Sequence, residues 1–398
     1  MIALIIPAFF LFLGLEYLVA ISKKKQHLFN YANSVANLSI GIGERLLNLF
    51  ITGSFYALYY TLYEKWSVFP IPNQWFVWII LLLATDLIWY WYHRLGHEIN
   101  ILWGAHIVHH HSEDFNYTVS ARITTLQAIV RNLFWCILPV IGFHPAMVIT
   151  ILVVHGTYSF FTHTQVIGKL GWLEYILITP SHHGVHHASN PKYLNKNYGD
   201  IFVFWDKLFG TFQREEESAV YGLTHRLTSK SFLWQHFHYY AEMWEACRRS
   251  GSLRRSVVII FGKPEDLDQT IRPFLEQKLL PPKSVPRLNA RFRSYLNVQI
   301  VLSLLTLAVL TIFIEQLTAS SIAAVAMLII ITLINCGAML EQQKWIYYLE
   351  GIRCLILSVW VSYHTESAML LVFSIAVVAC LGTFKSIEKK YLEFVYSE

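Results

Sequence analysis

Residues 75–110 read WFVWIILLLATDLIWYWYHRLGHEINILWGAHIVHH, and the change of character along this stretch sets the fold. Residues 74–95 are apolar over the length that crosses a bilayer, whose hydrocarbon core of about 30 Å takes about 20 helical residues. His93 and His97 then fall four apart on one helical face, and His106, His109 and His110 follow as an HxxHH set. The sequence therefore predicts a membrane helix that ends in imidazoles.

Outward from this stretch, apolar runs lie at 2–21, 37–62, 124–142 and 145–162, and four more at 294–315, 319–340, 346–363 and 367–384. The 398 residues are 55% hydrophobic and only 14% charged, a balance that points to a polytopic membrane protein rather than a string of soluble domains. We expect an all-α integral membrane protein with about nine transmembrane helices. If each run crosses once, Lys23 to Lys25, the long segment 164–293 with its many Arg and Lys, Lys344 and the tail lysines Lys385, Lys389 and Lys390 all fall on one face, which the positive-inside rule makes cytoplasmic. The formal charge of +5 is spread over these loops, which argues against nucleic-acid binding.

The expected organisation is three-part: N-terminal transmembrane helices in 1–73, a catalytic region with a cytoplasmic cap in 74–293, and a four-helix transmembrane region in 294–398. Pro281, Pro282 and Pro286 mark the end of the long segment. The stretch Met1 to Ile21 lacks a basic leading region and reads as a retained span rather than a cleaved signal. Glu44 and Arg45, adjacent charges inside the second run, read as a structural ion pair. The five cysteines show no CxxC pairing and read as reduced packing thiols.

Of the 18 histidines, nine form a pattern. His183, His186 and His187 repeat the HxxHH set, and His163 ends the fifth run. The spacing lets each set present its imidazoles to a common point, and the chain leaves and returns to one face between the sets, so all four groups meet there. A lone histidine is more often an interfacial residue than a ligand; nine converging at helical spacing are a ligand set. Neutral imidazole binds iron, zinc or copper, and a structural zinc needs only four ligands. Two irons that activate dioxygen are the economical reading. Asp86 and Glu98 are candidates for hydrogen bonds that fix imidazole tautomers. His111 and His182 face away from their stripes, His155 lies within reach of the cluster, and His27, His144, His225, His236, His238 and His364 read as surface or interfacial residues.

The segments HRLGHEINILWGAHIVHHHSEDFN (residues 93–116), TPSHHGVHH (179–187) and NYGDIFVFWDKLFGTF (197–212) resemble the fatty acid hydroxylase, or sterol desaturase, superfamily. The likeness covers roughly residues 81–212, and within the superfamily it is nearest to the branch that cleaves glyceryl ethers. It implies a di-iron centre held by three histidine boxes: His93 and His97; His106, His109 and His110; His183, His186 and His187. His163 falls at the position of a further family histidine, and Ser159 stands where some members carry another. Asp206 is implied to be a local cap or a residue supporting the ligands. The branch implies a lipid substrate and tetrahydrobiopterin, whereas other members draw electrons from a redox partner protein.

The function expected is oxygenation of a lipid C–H bond at the cytoplasmic face of a bacterial inner membrane or the endoplasmic reticulum, with ether cleavage of alkylglycerols favoured. A sterol or fatty-acyl hydroxylase or desaturase fed by an electron-transfer partner is the rival among enzymes. A metal transporter or metal-storing membrane protein is the rival of another class, but it would set its histidines along a path near mid-membrane.

Overall fold

A backbone surrounded by apolar side chains satisfies its own hydrogen bonds most simply as a helix, and every apolar run named above is helical. The structure, a computed structural model, describes residues 2–280 and 288–396; the Pro281, Pro282, Pro286 cluster lies outside the described residues. Helix α1 (Ile2–Ser22) is followed by α2 (Tyr31–Trp66), which starts at Asn30, whose side chain accepts a hydrogen bond from Asn33 N at 3.1 Å. At 36 residues α2 is about 54 Å long, more than a bilayer core requires. Glu44 is buried on it and lies 3.4 Å from Arg45, the expected ion pair.

Helix α3 (Trp75–Glu98) is separated from α4 (Asn100–His106) by the single extended residue Ile99, and a 3-10 turn, Ile107–His110, completes the first histidine region. After α5 (Tyr117–Ser120), the fourth run forms two helices, α6 (Thr125–Trp135) and α7 (Ile137–Ile141). Pro139 has no N–H to continue the helical ladder back to Trp135, which explains the break. Gly142 turns the chain into α8 (Pro145–Phe161) at φ +126°. Any Cβ there would lie 2.0 Å from Phe69 O, so only glycine fits. Residues 68–69 hydrogen-bond to Val140 O and Ile141 O. The α7–α8 turn therefore sits at the same end as the α2–α3 loop, and α8 runs back toward the end where α3 finishes.

The long segment folds into α9 (Pro180–His187), α10 (Phe204–Leu208), α11 (Phe232–Ser250), α12 (Leu253–Phe261) and α13 (Ile271–Leu279). Two isolated bridges, Leu177 with Phe202 and Ala188 with Tyr221, tie its loops together. The C-terminal part comprises α14 (Ala290–Phe313), α15 (Ala319–Leu340), α16 (Ile346–His364), α17 (Ala368–Thr383) and α18 (Lys385–Tyr396).

Among the described residues, three helical stretches are long and apolar enough to cross a membrane: Trp75–Glu98, Ala290–Gln316 and Ala319–Leu340. A fourth arises if Ala368–Cys380 and Lys385–Tyr396, bent by 79°, count as one. Nine full-length apolar helices are not found among the described residues. The runs Pro7–Ser22, Thr125–Ile141 and Pro145–Phe161 are shorter, and Glu44 and Arg45 in α2 and Glu350 and Arg353 in α16 dilute helices of sufficient length. The long apolar helices are apolar on every side. On α14, Leu296, Ile300, Leu307 and Leu310 are buried, while Val301, Leu305, Val309 and Ile312 are each more than half exposed. An exposed apolar face of this extent fits hydrocarbon rather than water.

Two apolar cores flank α2: one joins it to α14, α15 and α16 around Leu46, Leu296 and Leu333, the other to α3, α6, α7 and α8 around Leu81, Trp89 and Leu138. A third packs Ile40, Ile107 and Val108 against Trp234 and Tyr239 of α11, fixing the cap over the end of α3.

Candidate metal centre

The candidate ligands lie on helix ends and short helical pieces of backbone. His93 and His97 occupy the last two turns of α3, His106 ends α4, His109 and His110 sit on the 3-10 turn, His163 follows α8 by two residues, and His183, His186 and His187 lie on α9. All nine are brought together in two groups. His93, His97, His106, His110 and His186 form one, and His109, His163, His183 and His187 the other, with the donor atoms in each group within 4.8 Å of one another.

The boxes do not each serve a single point, as the spacing alone predicts. In His106–His110 the residues four apart join the five-membered group and His109 joins the other. In His183–His187 the residues four apart join the four-membered group and His186 crosses over. On α9 the cause is the α-helical screw: residues four apart differ by about 40° around the axis, whereas adjacent ones differ by about 100°. The two boxes thus face each other with exchanged roles, and His110 and His187, one from each group, stack with ring centroids 4.3 Å apart.

Within the first group, Nε2 of His106 lies 3.1 Å from Nε2 of both His93 and His110. Within the second, His163 Nε2 lies 3.1 Å from that of His109 and 3.0 Å from that of His183, which is 3.2 Å from that of His187. The outer nitrogens explain why these contacts cannot be a hydrogen-bond chain. Nδ1 donates to Tyr198 O from His93 (2.8 Å), to Arg122 O from His109 (3.3 Å), to Ser159 O from His163 (2.7 Å) and to Lys196 O from His186 (2.9 Å). A carbonyl has no proton to give, so the neutral ring turns a bare Nε2 inward. Burial holds His106, His109, His110, His183, His186 and His187 well below the ordinary imidazole range, with neighbouring imidazoles adding to the effect. It lowers His163 to about 4.

Inward lone pairs 3 Å apart repel unless a cation lies between them. His97 Nε2 and His186 Nε2 are buried with no hydrogen-bond partner among the described residues. For metal–nitrogen bonds of about 2.1 Å, adjacent ligands would be ~3.0 Å apart at right angles and ~3.4 Å apart at tetrahedral angles. The observed separations lie nearer the first value. The donor set of five and four imidazoles fits two metal ions, and it contains no thiolate.

The surrounding loops hold the carbonyls in place. Asp206, read from sequence as a cap or support, accepts from Tyr198 N and Gly199 N, both at 2.8 Å, and from Thr211 Oγ1 at 2.6 Å. A Cβ on Gly199 would lie 2.8 Å from Phe202 O and 2.9 Å from Asp206 Oδ2, so the cradle requires glycine. Arg122 is fully buried and donates to Val108 O, Asn37 Oδ1, Gln235 Oε1 and His111 Nδ1; burial lowers its guanidinium to about 9. Arg122 thereby joins the first histidine region to α2 and α11.

Asp86 and Glu98 lie elsewhere than the sequence reading places them. Glu98 accepts from Arg94 Nε at 2.9 Å at the mouth of a cavity. Asp86 accepts from Ile201 N, Phe202 N and Trp205 Nε1 and faces His155, itself hydrogen-bonded to Asp200. The tautomer-fixing partners seen are backbone carbonyls instead, which residue type cannot reveal. His111 and His182 point away from the groups, to Arg122 and to Leu177. His238, expected at a surface, is buried 4.8 Å from the His111 ring. Asp200, Tyr198 and Arg122 were missed as supporting residues; a charge inside an apolar stretch was the available signal for the first and last.

The cavity, of about 840 Å³, reaches His97, His110, His186 and His187. Its wall carries Arg94, Glu98, Trp103, Tyr239, Glu242 and Arg272 beside apolar residues such as Ile107, Leu223 and Leu267, a mixed lining of the kind that holds a small molecule by apolar contact and orients it with a few polar groups.

Comparison with known proteins places this geometry. Residues 78–211 match the fatty acid hydroxylase family model. The chain is 32% identical to human alkylglycerol monooxygenase over 88% of its own length and 80% of that protein's. It is 30% identical to the ornithine lipid hydroxylase OlsE of Rhizobium tropici over 41% of the chain and 51% of that protein, and 24% identical to human cholesterol 25-hydroxylase over 33% and 50%. No solved structure matches it. Paired histidine groups of this kind are typical of the family's di-iron hydroxylases, and the chain is a lipid-hydroxylating oxidoreductase that belongs to the fatty acid hydroxylase family.

Proposed function

We propose that the chain is a multi-pass membrane di-iron monooxygenase that hydroxylates the ether-bearing carbon of an alkylglycerol, with tetrahydrobiopterin as reductant. One observation carries the reading: nine imidazoles, eight of them buried and His97 partly so, in groups of five and four, in a chain similar to alkylglycerol monooxygenase across most of both lengths. His93, His97, His106, His110 and His186 would hold one iron, and His109, His163, His183 and His187 the other. When bound, the two irons supply the activation of dioxygen and the removal of hydrogen from an unactivated C–H bond, chemistry that no side chain provides.

The chain's residues supply the rest. Tyr198, Ser159 and Lys196 carbonyls hold Nδ1–H, burial keeps the imidazoles unprotonated, and the cap excludes water. The cavity admits the reductant, with the Arg94–Glu98 pair in its wall to orient it. The alkyl chain enters from the lipid side. One oxygen atom goes to the ether carbon and the other leaves as water with two electrons from the pterin. The product is a hemiacetal, whose carbon–oxygen bond breaks to give a fatty aldehyde and a glycerol derivative. In this reading the chain crosses nine times, the histidines face the cytoplasm of a bacterial inner membrane or lie on the endoplasmic reticulum, and the three parts 1–73, 74–293 and 294–398 divide the labour. Asp86 supports the site through the loop it caps.

A second reading is a lipid hydroxylase fed by an electron-transfer protein. Similarity of the catalytic region to the ornithine lipid and cholesterol hydroxylases favours it. Membranes containing the protein, given an alkylglycerol with either reduced pterin or a reductase mixture, separate the two. Aldehyde release with pterin alone supports the first reading, turnover only with the reductase supports the second, and no alkylglycerol turnover with either removes ether cleavage.

A further inference from the structure

Beside the two histidine groups lies a third buried cluster, Asp86, His155 and Asp200, whose donor atoms lie within 4.8 Å of one another. None of the three is more than 3% exposed. His155 Nδ1 donates to Asp200 Oδ2 at 2.5 Å, and its Nε2 lies at ion-pair distance, 3.4 Å, from Asp86 Oδ1 without forming a hydrogen bond. Asp86 uses its two oxygens on three further donors, Ile201 N, Phe202 N and Trp205 Nε1, at 3.0–3.1 Å.

These contacts speak against a third metal ion. An imidazole gives a metal one lone pair, and here its two nitrogens point to different carboxylates, while the oxygens of Asp86 are already engaged. A ring between two buried carboxylates is instead the arrangement of an ion pair, in which one positive charge offsets two negative ones.

The position of each member is informative. Asp86 lies two turns before His93 on α3. His155 lies about two turns before the end of α8, which His163 follows. Asp200 stands two residues after Tyr198, whose carbonyl orients His93. Every member therefore belongs to a piece of backbone that delivers or orients a ligand, to the five-membered group through His93 and to the four-membered group through His163.

We propose that His155 is a positioning residue that bridges Asp86 and Asp200 and so locks α3, α8 and the loop after Tyr198 in register, setting both histidine groups at binding distance; this rests on the di-metal reading above. The sign of the charges yields a test that packing alone does not predict. His155→Asn leaves two carboxylates facing each other with no cation between them, whereas Asp200→Asn leaves one carboxylate still paired with His155. Adding Asp200→Asn to His155→Asn removes the repulsion and should restore the site.

The experiment compares wild type, H155N, D200N and the double variant in lipid nanodiscs, reading iron affinity by competition with a chromophoric chelator and the iron environment by Mössbauer spectroscopy. Supporting residues of metal sites are typically worth about 10–100-fold in affinity. H155N should weaken iron binding by about that factor, with broadened spectra for both irons. D200N should weaken it by less than H155N does, and the double variant should bind more tightly than H155N. If H155N does not fold, the ranking of D200N against the double variant still decides, because packing predicts the double to fail as well. A double variant no better than H155N, or H155N with wild-type affinity and spectrum, overturns the proposal. So does a third metal per chain in the wild type that H155N loses. A wild type that binds no iron at all overturns the di-metal reading itself.

Discussion

His109 and His186 illustrate how single residues are used in this protein. Each belongs to a box whose other members serve the opposite group, so each is the crossing ligand of its box. Either substitution to alanine should lower iron content by about one ion per chain, measured by elemental analysis, and reduce lipid turnover by more than about 100-fold, beyond what supporting residues are worth. The same residues set an acid limit. His163 has an ordinary value of 6.5 that burial lowers to about 4, so folding favours its neutral form. The stabilisation is complete above pH 6.5 and is lost as pH falls from there through about 4, because the unfolded chain binds the proton first. Thermal unfolding of the iron-free protein should show a steep fall in Tm across that window, and a flat profile would contradict the assigned burial. The convergence of the histidines was legible in the sequence because imidazoles at spacings of three and four have no packing explanation. Their oriented tautomers were not, since the acceptors are the carbonyls of Tyr198, Ser159 and Lys196, which any residue would offer.

Elements position the site through a few buried polar ties. Arg122 connects the 3-10 turn at Val108 to α2 at Asn37 and α11 at Gln235. Arg122→Met keeps the volume but leaves these acceptors without their donor, and unfolding should show a loss of about 2–4 kcal/mol. Asp206→Asn retains the size but weakens the cradle of Tyr198 and Gly199. It should cost about 1–2 kcal/mol in stability and lower iron affinity more at the five-histidine group than at the other, a split that Mössbauer spectra would display. The helices themselves were legible: expected limits of 319–340 match α15 as found, and most others fall within a few residues. The exceptions have local causes, Pro139 breaking the fourth run and the polar start of α2 extending it beyond its apolar middle. The Asp86–His155–Asp200 cluster was not legible, because its partners come from two helices and a loop that only the folded chain brings together.

At the scale of the whole molecule, the exposed apolar sides of α3, α14 and α15 and the polar cap divide the protein into a part for lipid and a part for water. Leu305→Arg on the outer face of α14 should hinder insertion by about 3 kcal/mol, seen as reduced membrane yield, whereas the same change in the exposed cap residue Leu253 should not. Topology was the least legible property, since composition predicts nine crossings and, among the described residues, only three or four helices meet the length and apolarity needed alone. Short apolar helices such as α8 cross only when neighbours and a thinned bilayer share the mismatch, which no single run can report. Metal stoichiometry tests the central claim most directly, because two groups of donors on one buried cluster are what the geometry asserts. Purified wild-type protein should carry about two irons per chain, with H109A and H186A each near one and H364A, an exposed residue at the end of α16 outside the cavity, unchanged. One iron or none in active wild-type protein, or an undiminished load in both ligand variants, would contradict the account.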